Sequence, residues 1–222
     1  MSYNELQIHI EYIGQKLVRC PETCPDILLS QEAGVLPRCL VLETGQSLEA
    51  TGAVIVGVNP GSSSESERSF YIHNGLTYDS VVDFWKTNTE RIPYYTKLRR
   101  LVAALGITGP RLWTELVKCE SNPELKGELS IQTQRICASK YLFRELEKVP
   151  KDWAVLAVGA LPFRALSYLL PTRPVIGVPH PRGSFGHFDH LFADGCLKGE
   201  FAAQVKVALQ KQQAVWLRIE NK

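Results

Sequence analysis

His180 stands between Pro179 and Pro181 and is followed by Arg182, Gly183 and Ser184. Each proline fixes its own φ and restricts the residue before it, so the imidazole is held rigidly. A rigid ring beside a cation and a hydroxyl, just past the apolar run Pro174–Val178, suits a polar site. A satisfied structural histidine is the plainer alternative. A second cluster follows the apolar run Ala53–Pro60, as Gly57-Val58-Asn59-Pro60-Gly61 and then Ser62-Ser63-Ser64. By itself it reads as a Pro-Gly turn leaving a strand. No Gly-Lys-Ser/Thr follows it, so it is not a Walker loop. The chain also holds 6 cysteines among 222 residues. That is too few for a secreted disulfide scaffold. In a reducing compartment such thiols serve as metal ligands, as redox groups or as buried apolar filling.

Four short apolar runs bounded by Gly or Pro read as strands buried on both faces: Ala53–Pro60, Leu112–Cys119, Trp153–Gly159 and Pro174–Val178. Helical patterns lie around them at about Asn4–Leu17, Leu98–Gly106, Ser130–Val149, Leu161–Leu170 and Leu197–Leu217. The polar segment Gly61–Thr77 reads as a loop. Alternation of strand and helix predicts an α/β fold, a three-layer α/β/α sandwich with a central four-stranded parallel sheet. In such sheets ligands bind at the carboxyl ends of the strands, where both clusters lie. The sequence reads as one domain over 1–222, with the N-terminal helix and Cys-bearing segment of 1–50 packed onto it. Hydrophobic residues make up 45% and charged residues 22%, which excludes a disordered or fibrous chain. The net charge of +2 permits a nucleic-acid partner without requiring one. No apolar run approaches 18 residues and no signal peptide is legible, so a cytoplasmic, membrane-free protein is expected. A monomer is expected, although the sequence itself does not fix the oligomeric state.

Together, Asn59-Pro60-Gly61 after a buried strand and His180-Pro181 after the last strand resemble the uracil-DNA glycosylase superfamily. The resemblance covers most of the chain. Gly57–Gly61 looks like the first motif of the mismatch-specific thymine/uracil enzymes. Leu116-Val117-Lys118-Cys119 resembles the Val-Val-Lys-Cys strand end of the iron–sulfur branch. That branch holds a [4Fe–4S] cluster on four cysteines, and the resemblance maps them onto Cys20, Cys24, Cys119 and Cys137, with zinc as the alternative. The Cys20-x3-Cys24 spacing departs from the branch's Cys-x2-Cys. Cys39 and Cys196 are then packing residues. No organic cofactor is implied.

The resemblance implies hydrolysis of the N-glycosidic bond of a flipped damaged base in DNA, uracil or another deaminated base, with a nucleoid-associated location. Asn59 would orient water and His180 would stabilise the leaving base. Gly57, Gly61, Phe70 or Tyr71, and Glu115 would surround the base. Ser62, Ser63, Arg182, Gly183 and Ser184 would grip phosphates, and Phe185 would wedge into the stack. Glu115 stands where the branch carries a base-reading Asn, so another base or an inactive DNA-damage or single-strand binding module is the competing expectation. Lys97, Arg99 and Arg100 share a helix and offer a basic patch or an ordinary solvated face. His187, Asp189 and His190 lack a second cluster to complete a metal set. An unrelated nucleotide hydrolase is disfavoured, because there is no Gly-x-Ser-x-Gly elbow and no paired carboxylates at two strand ends.

Overall fold

The computed structural model describes residues 2–124 and 129–218. In chain order the elements are α1 (Tyr3–Leu17), β1 (Ile27–Leu28), β2 (Val41–Glu43), β3 (Ala53–Gly57), α2 (Glu65–Asn74), α3 (Tyr78–Asn88) and α4 (Pro93–Ala104). Then come β4 (Arg111–Glu115), β5 (Glu120–Ser121), α5 (Ile131–Cys137), a π-helical turn (Ala138–Leu142), α6 (Phe143–Glu147), β6 (Ala154–Val158) and α7 (Ala160–Leu169). The chain ends with β7 (Val175–Val178), β8 (Phe192–Ala193), β9 (Cys196–Leu197), α8 (Gly199–Lys211) and β10 (Val215–Trp216). The fold is mixed α/β. Its main sheet counts six strands among the described residues, where four were expected; β2 and β10 are the additions.

The described residues divide into two compact units, each drawn from separate stretches of sequence. The first takes residues from 1–42, 58–88 and 113–149. Its α1 opens on a capping box in which Ser2 and Glu5 satisfy each other's backbone donors. Leu6, Ile10, Ile13 and Leu17 recur at helical spacing and are buried. A Cβ at Gly14 would fall 2.3 Å from the Tyr78 ring, so only glycine lets α1 and α3 approach this closely. Val18, Leu36, Tyr71, Tyr78 and Val81 form a core cluster, with Phe70 and Phe84 packed against it. The expected helix Ser130–Val149 forms as α5, the π turn and α6 in succession, and Ser130 caps it by accepting from the Thr133 N–H at 3.1 Å.

The second unit takes residues from 43–57, 89–112 and 150–222. Here β3, β6, β7 and β10 run parallel, with Val54 opposite Val155, Leu156 opposite Ile176 and Val215 opposite Ile176. Every residue of β3, β6 and β7 is buried, as their unbroken apolar runs require. Gly159, at φ +97, turns β6 into α7.

Two expectations are corrected here. The Leu197–Leu217 helix ends at Lys211, because Gln212 adopts the left-handed conformation and the chain then adds β10 beside β7. Trp216 supplies the reason: its ring covers Gly177 so closely that a Cβ there would sit 2.2 Å away. The segment Gly61–Thr77 is mostly helix. Ser64 accepts from the Glu67 N–H at 3.2 Å and starts α2, a Ser-x-x-Glu start that the segment's polar composition disguised. No helix among the described residues is long and apolar enough to cross a membrane.

Candidate functional site

In the first unit the chain leaving β3 is tied down by its neighbour. The Val117 N–H donates to the Val58 carbonyl at 2.9 Å. Asn59 Nδ2 donates to the Cys119 carbonyl at 3.3 Å, to Ser121 Oγ at 3.0 Å and to the Pro60 carbonyl at 3.3 Å. The amide is thus oriented through its nitrogen, which turns Oδ1 away from those scaffold oxygens. Gly57 itself is the last residue of β3, in the second unit. A Cβ on Gly61 would meet nothing within 4 Å among the described residues, which leaves the loop open to them at that point.

Beneath this loop lies a buried ion network that the sequence did not disclose. Arg38 Nε pairs with Glu67 and Arg38 Nη1 with Glu120, both at 2.8 Å. Arg38 Nη2 donates to the Gly61 carbonyl at 2.6 Å. Glu120, 1% exposed, accepts from the Ser63 N–H at 3.0 Å. Arg68 Nε donates to Ser63 Oγ at 2.9 Å. Ser63 is therefore a buried structural residue, which corrects its expected phosphate role, whereas Ser62 is exposed. Of the two aromatic candidates, Tyr71 is 1% exposed with its hydroxyl donating to Glu67, so it belongs to the core. Phe70 is half-buried, 5.4 Å from the Phe84 ring.

Glu115 ends β4 and is buried, with Oε2 lacking a hydrogen-bond partner among the described residues. Burial pushes its pKa up to about 8, against the opposing pull of Lys118 and Arg38. Lys118 is 0% exposed and spends its charge on Glu145 at 2.9 Å, with further donation to Thr114 Oγ1 and to the Glu115 carbonyl.

Cys20, Cys24, Cys119 and Cys137 line one small cavity with Tyr141 and Ile27. The Lys118 N–H points at Cys137 Sγ at 3.3 Å. Burial raises the Cys137 thiol to about 11, and burial together with the other three cysteines raises Cys119 further. Among the described residues no three His, Cys, Asp or Glu side chains are already gathered as a metal site. As a donor set, four sulfurs around one apolar cavity without an imidazole fit an iron–sulfur cluster or zinc. Cys39 is half-buried at φ +65. Cys196 is exposed on β9, so it is not the packing residue expected.

In the second unit His180 follows β7. Its Nδ1 accepts from the Gly183 N–H at 3.0 Å and from the Arg182 N–H at 3.2 Å. A nitrogen that accepts twice carries no proton, so the neutral ring has its hydrogen on Nε2, which is left as a donor. Burial, with Arg182 in support, lowers the His180 pKa, favouring that neutral form. The Tyr94 ring lies 5.3 Å from the imidazole. Ser184 Oγ accepts from the Phe188 N–H at 3.2 Å, while Arg182 and Gly183 are exposed. Phe185 is 99% exposed at φ +49, a conformation costly for an aromatic residue and one that holds its ring in solvent.

The expected basic helix face is largely engaged. Lys97 pairs with Asp189 at 2.6 Å, Arg99 with Glu43 at 3.1 Å, and Arg100 lies 4.1 Å over the Phe192 ring. The His187 and His190 rings stand 6.4 Å apart. No protein-family model matches the chain, and no curated protein matches it significantly.

Proposed function

We propose that the chain is a monofunctional DNA N-glycosylase of the uracil-DNA glycosylase type. The observation that carries this reading is the His180 turn. Two backbone N–H groups fix Nδ1 as an acceptor, so Nε2–H is the group presented. Such a neutral donor suits a base carbonyl on which negative charge grows as the C1′–N bond breaks. The bond breaks with its electrons going to the base, water adds to C1′, and the water's proton completes the released base. Asn59, held through Nδ2, supports the reading because its Oδ1 can accept from the attacking water and position it. An amide is too weak a base to do more. Phe70 supplies a face for the flipped base and Phe185 an apolar wedge. Arg182, Gly183, Ser184 and Ser62 contribute phosphate contacts.

The three-layer sandwich belongs to this reading, as does a cluster on Cys20, Cys24, Cys119 and Cys137. A bound iron–sulfur cluster or zinc would act there as a cross-link between the N-terminal segment and the Lys118-Cys119 turn. Protein prepared without oxygen is expected to be brown, to absorb near 400 nm and to lose that band in Cys119→Ser.

Glu115 favours a second reading, a binding module without excision. Oligonucleotides carrying uracil, hypoxanthine, xanthine or a G·T mismatch separate the two. Release of one of these bases, reduced roughly 10²–10³-fold in His180→Gln, supports the glycosylase. Binding of these strands with no abasic product from any of them refutes it.

A further inference from the structure

The solvent side of α1 carries His9, Tyr12, Lys16 and, just past its end, Arg19, while its apolar side faces the core. The α5–α6 segment carries Lys140 and Arg144 one turn apart. Spacings of three and four put such side chains on a common face. α1 and α6 pack together, and the His9 Nε2 lies 2.7 Å from the Arg144 carbonyl. Between them is a cavity of about 710 Å³, lined by these residues and by Tyr141 within the first unit. That volume is the size of an ordinary ligand pocket.

Four cations line the cavity against a single carboxylate, Glu147. Lys140 is partly offset by Glu22 at 2.5 Å, and Lys16 lies 4.1 Å over the Tyr12 ring while donating to its hydroxyl. Arg19 and Arg144 are exposed and form no ion pair among the described residues. Tyr12 is 55% exposed, so its ring has a face to offer. Uncommitted guanidinium groups beside an exposed aromatic ring are the combination that takes phosphate and base together.

The geometry points to a binding site for a nucleoside phosphate in this cavity, with Arg19 and Arg144 on phosphate oxygens and Tyr12 against the base. The nucleotide comes either free or as one unit of a single strand. The site is independent of the glycosylase reading, since it requires no damaged base and no bond cleavage. Its only shared residue with the cysteine-lined cavity that carries chemistry is Tyr141.

The test uses the full chain, a labelled lesion-free thymidine oligonucleotide followed by anisotropy, and adenosine triphosphate followed by calorimetry. Arg19→Glu/Arg144→Glu is expected to weaken binding at low salt at least about tenfold, and for the oligonucleotide to lower the salt slope by about 1.4, at about 0.7 per phosphate contact. Arg19→Lys/Arg144→Lys should retain the slope. Lys206→Glu/Lys211→Glu, on exposed positions of α8, should change neither. Loss with the oligonucleotide alone identifies a strand as the ligand; loss with the triphosphate alone identifies a free nucleotide. If neither probe binds the native protein, if the Arg19/Arg144 reversal leaves affinity and slope unchanged, or if the α8 reversal costs as much, the proposal is overturned.

Discussion

Replacing Arg38 by Met tests whether the buried ion network holds the loop after β3. The guanidinium makes two ion pairs at 2.8 Å and donates to the Gly61 carbonyl at 2.6 Å. Methionine keeps much of the volume and removes the charge. Glu120, at 1% exposure, is then a buried carboxylate without its cation, retaining only the Ser63 N–H among the described residues; Glu67 is 14% exposed and reaches water more easily. Breaking a buried pair from one side costs about 3–5 kcal/mol, because the remaining charge is uncompensated. For a chain of this size about 2–4 °C is lost per kcal/mol, so the melting point should fall by about 6–20 °C. Urea titration with linear extrapolation gives the free energy directly. The same reasoning requires Arg38→Met/Glu120→Leu to be less damaged than Arg38→Met alone, since it removes the stranded charge. A loss below about 1 kcal/mol in the single variant, or a double variant as damaged as the sum of both singles, would refute the reasoning.

The His180 turn predicts an acid limb displaced from the ordinary. With its folded pKa lowered, the fold's preference for the neutral ring is present above the usual value and is lost as pH falls through the lower folded one. On the glycosylase reading, base release should therefore persist below the pH at which a free imidazole protonates; an acid midpoint at or above the ordinary histidine value contradicts the assigned tautomer. Phe185→Ala should leave stability within about 0.5 kcal/mol, as the ring is fully exposed, yet raise KM on duplex more than on single-stranded substrate. Equal KM changes on both substrates would remove the wedge role.

The long central strands β3, β4, β6 and β7 were legible because burial on both faces leaves an unbroken apolar run, as in Ala53–Gly57 and Ala154–Val158, whereas the two- and three-residue strands carry no such run. The α5–α6 helical stretch was legible from Ser130 and its apolar face. What the sequence concealed was the polar interior. Arg38 meets partners 29 and 82 residues away, and Lys118 meets Glu145 across 27, so no local pattern announces them. A signal was present all the same. Arg38 interrupts Val35-Leu36-Pro37 and Leu40-Val41, and Lys118 interrupts Leu116-Val117 and Cys119. A lone charge within an apolar run is buried with it, and a buried charge must be paired. β10 was missed for a different reason: two residues continue a helical pattern as readily as they form an edge strand, and only the bare Gly177 surface decides between them.

Glu115 is the sharpest departure from the resembled branch, and its surroundings decide what that departure means. Lys118 and Glu145, both 0% exposed, neutralise each other at 2.9 Å. Glu115 is left as the carboxyl without a dedicated cation, with Oε2 unpartnered among the described residues and a pKa raised to about 8. Burial thus favours its protonated form at neutral pH, and a protonated carboxyl donates and accepts like the amide it replaces. A group whose folded pKa is raised contributes fully below its ordinary value of 4.5, and the contribution is lost as pH rises through about 8. Two results follow for Glu115→Gln. Native protein should lose more urea resistance between pH 6 and pH 9 than the variant, because the raised Cys119 and Cys137 thiols cost both proteins alike toward pH 9. On the glycosylase reading, excision by the variant should match the native protein near pH 6 and exceed it at pH 9, since glutamine keeps its donor where Glu115 has lost its own. A native protein that loses no more than the variant shows that the carboxyl is ionised throughout, and a variant inactive at pH 6 where the native protein is active shows that position 115 does not stand in for an amide.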